Sequence, residues 1–366
     1  MESILEKGRI SGRQLMFCVA SFIHGSTLLS SFVVGITKQD TWVAIIAAFA
    51  VCVLLALMYI TISKKFPGKN IISINDIVFG KVFGKVVSIL YLWFFLSLTF
   101  LNTREVGNFV IGFVMPLTPL VAISVLIILT CAYAINKGIM TLARISFLCM
   151  ILMISVIVLN TLLLWPDMNF SNFAPSFTLP LIDYVHGTHT LAILPFSEIM
   201  VFLMIFPYVD EKYDIKKPFL KGIFIGFVVM LLTAVRDWAA LGSIATMVSE
   251  LTFQAVRIIN VGEIFTRMEV LFAIILFVLQ FFKISILFYA TTLGVAQIFG
   301  LKSYKPLVPV IGAIVVCLSI VVWNSVAEAS YWGMYVAAVY STFFEVVIPG
   351  ITLIIVIAKG FGKKLK

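Results

Sequence analysis

The chain has 366 residues, of which 62% are hydrophobic and only 12% are charged. Soluble domains carry roughly a quarter charged residues, so this composition excludes a water-soluble globular protein. The formal net charge of +9 does not by itself indicate a nucleic-acid partner, because basic residues in a membrane protein first report its orientation.

Long apolar runs predict an all-α polytopic protein with ten membrane-spanning helices in a single membrane domain over residues 1–366. A helix needs about 20 residues at 1.5 Å per residue to cross a bilayer of about 30 Å. The first run has no clear signal-peptide cleavage site, so we expect it to remain as a helix. In chain order, the predicted spans are 10–36, 41–63, 85–112, 119–136, 142–164, 187–209, 218–242, 267–299, 306–327 and 333–358.

Lysine and arginine residues predict the orientation of these spans. With the N-terminus in the cytoplasm, all but six of the 26 basic residues lie in cytoplasmic segments, as the positive-inside rule requires. We therefore expect both termini, with tails over 1–9 and 359–366, on the cytoplasmic side. The six exceptions are Lys38, Arg104, Arg236, Arg257, Arg267 and Lys283.

Two long outer loops are expected, over 165–186 and 243–266. The second is amphipathic and predicts a helix lying on the outer mouth, either as a lid or as a plain connecting helix. Its apolar residues at helical spacing are Ile244, Met247, Val248 and Leu251, and its charged residues are Glu250, Arg257 and Glu263.

Ten spans divide into two halves of five, about 10–164 and 187–358. An odd number of spans gives the two halves opposite orientations, which is the arrangement of an inverted repeat. The sequence therefore predicts a five-plus-five inverted repeat, although the two halves have no obvious sequence match.

The first helix of each half is predicted to be interrupted near the bilayer midplane, around Gly25 and around Pro195. Proline lacks a backbone N–H, and unpaired backbone groups in hydrocarbon cost several kcal/mol each unless they face a protein-lined or wet cavity. Half-helix N-termini there attract a carboxylate, and exposed carbonyls attract an ammonium group. We therefore expect these residues to bind a small zwitterion, the alternative being kinked helices without a ligand: Ser21, His24, Gly25, Ser26, Pro195, Ser197 and Glu198.

Five charged residues within the spans are further candidates: Arg104, Glu105, Glu198, Lys283 and Glu345. Ionisable residues at membrane depth mark functional sites by default. Lys283 requires a partner at similar depth, and either Glu198 or Glu345 could hold it charged. This lysine could replace a bound sodium ion, or the pair could serve only to fix helix packing.

Asn102 and Glu105 are three residues apart and so share one face of the third span. They are added to the expected ligand site, whereas Arg104 points elsewhere and is expected to reach outward or to pair with another helix. His24 would suit proton coupling, although a packed, hydrogen-bonded core histidine is the alternative.

No enzyme motif occurs in the sequence. The P-loop, the nucleophile elbow, the zinc motifs and the dinucleotide fingerprint are all missing. We therefore expect no catalytic residue, no cofactor and no metal site. The five cysteines lie in apolar runs and are interpreted as small buried hydrophobic residues.

Several short motifs make the chain similar to the endospore germination permease family, the B subunits of nutrient germinant receptors. The likeness covers essentially the whole chain. In order, the motifs are Ile10-Ser11-Gly-Arg-Gln14-Leu15, Asn102-Thr-Arg104-Glu105, Gly138-Ile-Met-Thr-Leu-Ala-Arg144, Pro195-Phe-Ser-Glu198, and Phe282-Lys283-Ile-Ser285 with Tyr289.

The resemblance implies an amino acid–polyamine–organocation fold, the five-plus-five inverted repeat of the LeuT type. It also implies residence in the inner membrane of a bacterial spore. The implied partners are a larger membrane-anchored A subunit and a lipoprotein C subunit. The implied role is to bind a nutrient, usually an amino acid, and to signal the end of dormancy.

Three functions remain open on the sequence. The leading hypothesis is a nutrient receptor that passes a conformational change to its partners. The second is a proton-coupled amino acid permease that transports the same ligand, and the third is a ligand-gated channel for water or small ions.

Overall fold

In a computed structural model, the described residues are 8–26, 33–259 and 269–361, and nearly all of them are helical. The helices are α1 Gly12–His24, α2 Val33–Thr37, α3 Thr41–Lys65, α4 Ile71–Phe79, α5 Lys81–Phe109, α6 Leu120–Asn136, α7 Ile139–Leu164, α8 Leu181–Leu191, α9 Lys216–Leu241, α10 Leu251–Arg257, α11 Glu269–Ile298, α12 Leu307–Val321, α13 Val326–Tyr331, α14 Ala337–Thr342 and α15 Ile348–Ala358.

Among the described residues, seven continuous helical segments are long and apolar enough to cross a membrane. Two shorter apolar helices, α6 and α12, accompany them. The predicted all-α polytopic architecture is therefore confirmed. The count of ten spans stays a prediction, because α1 has only 13 residues and residues 27–32 lie outside the described ranges.

The N-terminus of α1 is held by two local features. Ser11 forms a capping box with Gln14, in which the Gln14 N–H donates to the Ser11 hydroxyl and the Ser11 N–H donates to the Gln14 side chain. Just before the cap, the Ile10 N–H donates to the Tyr208 carbonyl at 2.8 Å, and the Asp210 N–H donates to the Ile10 carbonyl at 3.0 Å. These bonds fix the entry of α1 beside the end of the predicted sixth span.

The sixth predicted span is interrupted where the sequence predicts. After α8 the chain continues as a π turn over Ala192–Phe196 and a 3₁₀ helix over Ser197–Met204. Leu194 has extended backbone angles, φ −111° and ψ 109°, and every residue from 190 to 206 is buried. The first predicted span is interrupted as well, since α1 ends at His24. Both breaks lie against α11.

The predicted helix over 243–266 is wrong in its first half. A 3₁₀ turn covers Gly242–Thr246, and helix α10 begins only at Leu251. Met247, expected on the buried face, is 85% exposed. Gly242 has a positive φ of 54°, which ends α9 and redirects the chain. Glu263 and the rest of residues 260–268 lie outside the described part of the chain.

The other predicted loop, 165–186, is shorter than expected. It contains two 3₁₀ turns, Trp165–Asp167 and Phe170–Phe173, and α8 already begins at Leu181. Pro180 occupies the N-cap position of α8, where the missing proline N–H costs no helical hydrogen bond. The segment is rich in Pro, Asn and aromatic residues, so its composition did not indicate that a helix begins within it.

Candidate ligand-binding site

A buried ion pair joins the two interrupted helices to α11. Lys283 Nζ donates to Glu198 Oε2 and to Ser26 Oγ, and Ser26 Oγ donates to the same carboxylate oxygen at 3.1 Å. The side chains of Lys283 and Glu198 are completely buried. Of the two carboxylates that the sequence left open as partners, the structure places Glu198 in contact with Lys283.

Gly25 lies directly against α11, at the end of α1. A Cβ atom at this position would lie 2.6 Å from Lys283 Cβ, 2.9 Å from Lys283 Cδ and 3.1 Å from the Leu279 carbonyl oxygen. Such contacts are too close for any other residue type without displacement of α11. The glycine is therefore required by close packing at the break, a reason that the sequence did not reveal.

Glu345 is not part of this ion pair. It is fully buried in a π turn over Phe343–Val347, and neither of its carboxylate oxygens has a hydrogen-bond partner among the described residues. Its backbone carbonyl accepts a hydrogen bond from the Tyr59 hydroxyl at 2.7 Å. The expected role of Glu345 as a partner of Lys283 therefore has no direct contact to support it.

Arg104 caps the end of α12. Its guanidinium donates to the carbonyls of Ser319, Ile320 and Trp323 at 3.1, 2.8 and 3.0 Å, and its Nε donates to Asn108 at 2.9 Å. The last carbonyls of a helix have no intrahelical partner, so the arginine satisfies them. Of the two roles expected for Arg104, the structure shows pairing with another helix.

Replacing Arg104 by lysine is expected to destabilise the protein by about 1–3 kcal/mol, because a single ammonium group cannot reproduce the planar fork that reaches three carbonyls. Thermal unfolding of the purified protein in detergent measures the effect. Arg257 provides the matched control, since it is exposed and, within the described part of the chain, its guanidinium donates to Gln254 on its own helix. Equal unfolding temperatures for Arg104→Lys and Arg257→Lys would show that the cap contributes nothing.

A cavity of about 450 Å³ lies between α5, the break after α8, the outer segment 245–250 and residues 323–341. Its size is typical of small-molecule sites. Asn102 and Glu105 line it together, as their shared face predicts, and Glu198 lines it from the break. Glu250, which the sequence placed only in an outer loop, is a further lining residue.

Acidic residues supply all of the charge in this cavity. Glu105, Glu198 and Glu250 line it, and none of the described lining residues is Lys, Arg or His. Burial, together with the neighbouring Glu105 carboxylate, raises the pKa of Glu250 well above its ordinary value. The wall of the cavity therefore offers carboxyl groups and, among its described residues, no basic side chain.

The other expected site residues do not line this cavity. His24, Ser26 and Pro195 line a separate cavity of about 60 Å³, and His24 Nε2 lies 3.1 Å from the Gly226 carbonyl oxygen. The hydroxyls of Ser21 and Ser197 donate to backbone carbonyls at 3.1 and 2.6 Å. The structure thus distributes the predicted residues between two cavities and the packing around them.

A second buried charge pair was missed by the sequence analysis. Arg236 donates twice to Asp237 Oδ1, at 2.8 and 2.6 Å, and Thr252 donates to Asp237 Oδ2 at 2.6 Å. The Thr252 bond attaches α10 to α9, and both Asp237 and Thr252 line the cavity of about 60 Å³. Adjacent opposite charges at the end of an apolar run were the signal that could have revealed this pair.

Comparison with known proteins adds a family context. The family model described as spore germination protein matches residues 9–325. Spore germination protein KB of Bacillus subtilis (strain 168) is 26% identical over 360 residues, which cover 97% of this chain and 96% of that protein. Spore germination protein YndE of the same organism is 27% identical and covers 72% of this chain and 73% of its own length.

Two solved structures share the fold. One is Mhp1, a nucleobase-cation-symport-1 family transporter in a closed conformation with bromovinylhydantoin bound, with a TM-score of 0.66, 12% identity and coverage of 96% of this chain and 80% of that chain. The other is MhsT in complex with L-phenylalanine, also with a TM-score of 0.66 and 12% identity, covering 95% and 89%. At this identity they show the fold alone, which is of the LeuT type.

Proposed function

The chain belongs to the spore germination protein family, and we propose that it is the nutrient-sensing B subunit of a spore germinant receptor. In this role it resides in the inner spore membrane with both termini in the cytoplasm. It binds a small nutrient, expected to be an amino acid, and signals to an A subunit and a lipoprotein C subunit. The observation that carries the proposal is the 450 Å³ cavity beside the interrupted sixth-span helix.

The contacts around Glu198 suggest how binding can be signalled. One oxygen of Glu198 belongs to the ion pair with Lys283 on α11, and the same residue lines the cavity. A ligand that contacts Glu198 therefore acts on the contact between the interrupted sixth-span helix and α11. It shifts the balance of conformations only by the difference in its affinity for each of them.

Transport is the second candidate function. It is favoured by the fold shared with Mhp1, which is described as a transporter. In a permease the same cavity would open alternately to the two sides of the membrane, and the buried ion pair would take the place of a bound cation.

Reconstitution of the purified chain into lipid vesicles distinguishes these functions. A receptor subunit is expected to bind a labelled amino acid without accumulating it inside the vesicles. Uptake above that of protein-free vesicles would favour the permease, and ligand-dependent conductance would favour a channel. Co-purification of a tagged chain with the A and C subunits from spore membranes tests the assembly.

A further inference from the structure

Two buried oxygen atoms in residues that line the 450 Å³ cavity have no hydrogen-bond partner among the described residues, namely Glu198 Oε1 and Asn102 Oδ1. Glu198 is 1% exposed and Asn102 is completely buried. The Asn102 amide nitrogen donates to the Leu98 carbonyl at 2.7 Å. Because a carbonyl can only accept, the amide orientation is determined, and Oδ1 is the atom left without a donor.

Both unpaired atoms are acceptors, so the group that satisfies them must be a donor. A hydroxyl group or a water molecule could donate to them, but a neutral donor forms the weaker hydrogen bond to a carboxylate. Three carboxyl groups line the cavity, those of Glu105, Glu198 and Glu250, and none of its described lining residues is basic. A cationic donor forms charge-assisted hydrogen bonds with acceptors of this kind, which are shorter and stronger than those of a neutral donor.

For the ligand carboxylate expected from the sequence, the described lining residues of this cavity offer no positively charged side chain. The N-terminal turn of the 3₁₀ helix after the break would attract an anion, but Glu198 already lies in that turn. The cavity wall supplies no basic side chain among the described lining residues. Trp323, Trp332 and Tyr340 also line it, and aromatic faces favour a cation over an anion.

We propose that this cavity recognises the ammonium group of a primary amine through Asn102 Oδ1, Glu198 Oε1 and the carboxylate of Glu105, with Glu250 lining the same cavity from the outer segment. The inference rests on the proposed function, since the amine belongs to the nutrient that the chain senses. An amino acid qualifies through its ammonium group, whereas a sugar does not.

Matched ligands test this assignment on the full-length chain in nanodiscs, by isothermal titration calorimetry and thermal shift. One set is L-alanine, ethylamine and propionate, and the other is L-leucine, 3-methylbutylamine and 4-methylpentanoate. In the set that binds, the amine is expected to stay within about 10-fold of the amino acid, and the acid to bind at least about 100-fold more weakly. An acid that binds as tightly as its amine overturns the inference.

Binding measurements with glucose and inosine, which carry no primary amine, distinguish a failure of this inference from a failure of the proposed function. If either binds and none of the amines or amino acids does, amine recognition is wrong and nutrient sensing stands. If no compound binds, both are contradicted.

A substitution at Glu105 tests whether the ammonium group of the ligand binds beside this carboxylate. Glu105→Gln keeps the side-chain shape and is expected to weaken amine binding at least about 10-fold. Glu211→Gln is the matched control, because the Glu211 side chain is 86% exposed and pairs with Arg9 away from the cavity. Unfolding temperatures of the ligand-free variants exclude a folding defect. Unchanged amine affinity in folded Glu105→Gln protein would contradict the assigned position.

Discussion

Replacing Lys283 by methionine is expected to lower the free energy of unfolding by about 3–5 kcal/mol. Lys283 and Glu198 are completely buried and joined by a hydrogen bond. Removal of the lysine leaves the Glu198 carboxylate without a counter-ion and takes away the donor to Ser26. Thermal unfolding in detergent, together with the yield of folded protein from membranes, measures the loss.

A double substitution shows whether the unpaired charge is the cause. Lys283→Met with Glu198→Gln removes both charges and is expected to recover much of the lost stability. Lys283→Met with Glu345→Gln should recover little, because Glu345 does not contact the lysine. Lys302→Met, at an exposed position, serves as the surface control. The assignment of the pair is wrong if only the Glu345 combination restores the protein.

Gly25→Ala is expected to have the second largest effect, a loss of about 1–3 kcal/mol from overpacking. Its methyl group would lie 2.6 Å from Lys283 Cβ and 3.1 Å from the Leu279 carbonyl oxygen. Rotation of a side chain cannot relieve the contact between the added methyl group and the backbone of α11. Either α11 or the chain around Gly25 must therefore shift. Because this displacement moves the Lys283–Glu198 pair beside the cavity, ligand affinity is expected to fall as well.

The control for this variant is Gly350→Ala. Gly350 lies in α15, where no atom approaches within 4 Å of an added Cβ, so alanine should be neutral or slightly stabilising. Unfolding temperature and amino acid binding are measured for both variants. Equal unfolding temperatures and equal amino acid affinities for the two variants would contradict the conclusion that α11 packs too closely on Gly25 to admit a methyl group.

The membrane character, the helical architecture and the break at Pro195 could all be predicted from the sequence. Each depends on the composition of a short stretch of chain. Runs of about 20 apolar residues specify spanning helices whatever surrounds them, and a proline removes a helical hydrogen bond wherever it occurs. For the same reason, Asn102 and Glu105 could be placed on one face of a helix from their spacing alone.

Contacts between distant segments could not be predicted. Lys283 pairs with a residue 85 positions away, and Arg104 reaches carbonyls more than 200 positions away. Hydropathy assigns a depth to each side chain, but it does not assign the rotation of one helix against another. Two carboxylates at similar depth, Glu198 and Glu345, were therefore equivalent until packing brought only one of them to the lysine.

The shape of the site was likewise decided by the tertiary structure. The chain turns at Gly242, and Glu250 beyond it lines the same cavity as Asn102 and Glu105, whereas His24 lines the separate, smaller cavity. The sequence by itself determined that polar groups would meet near two broken helices in a membrane. Which groups share a cavity, and hence which ligand charge is recognised, depends on how remote helices are packed, a property that no local stretch of residues contains.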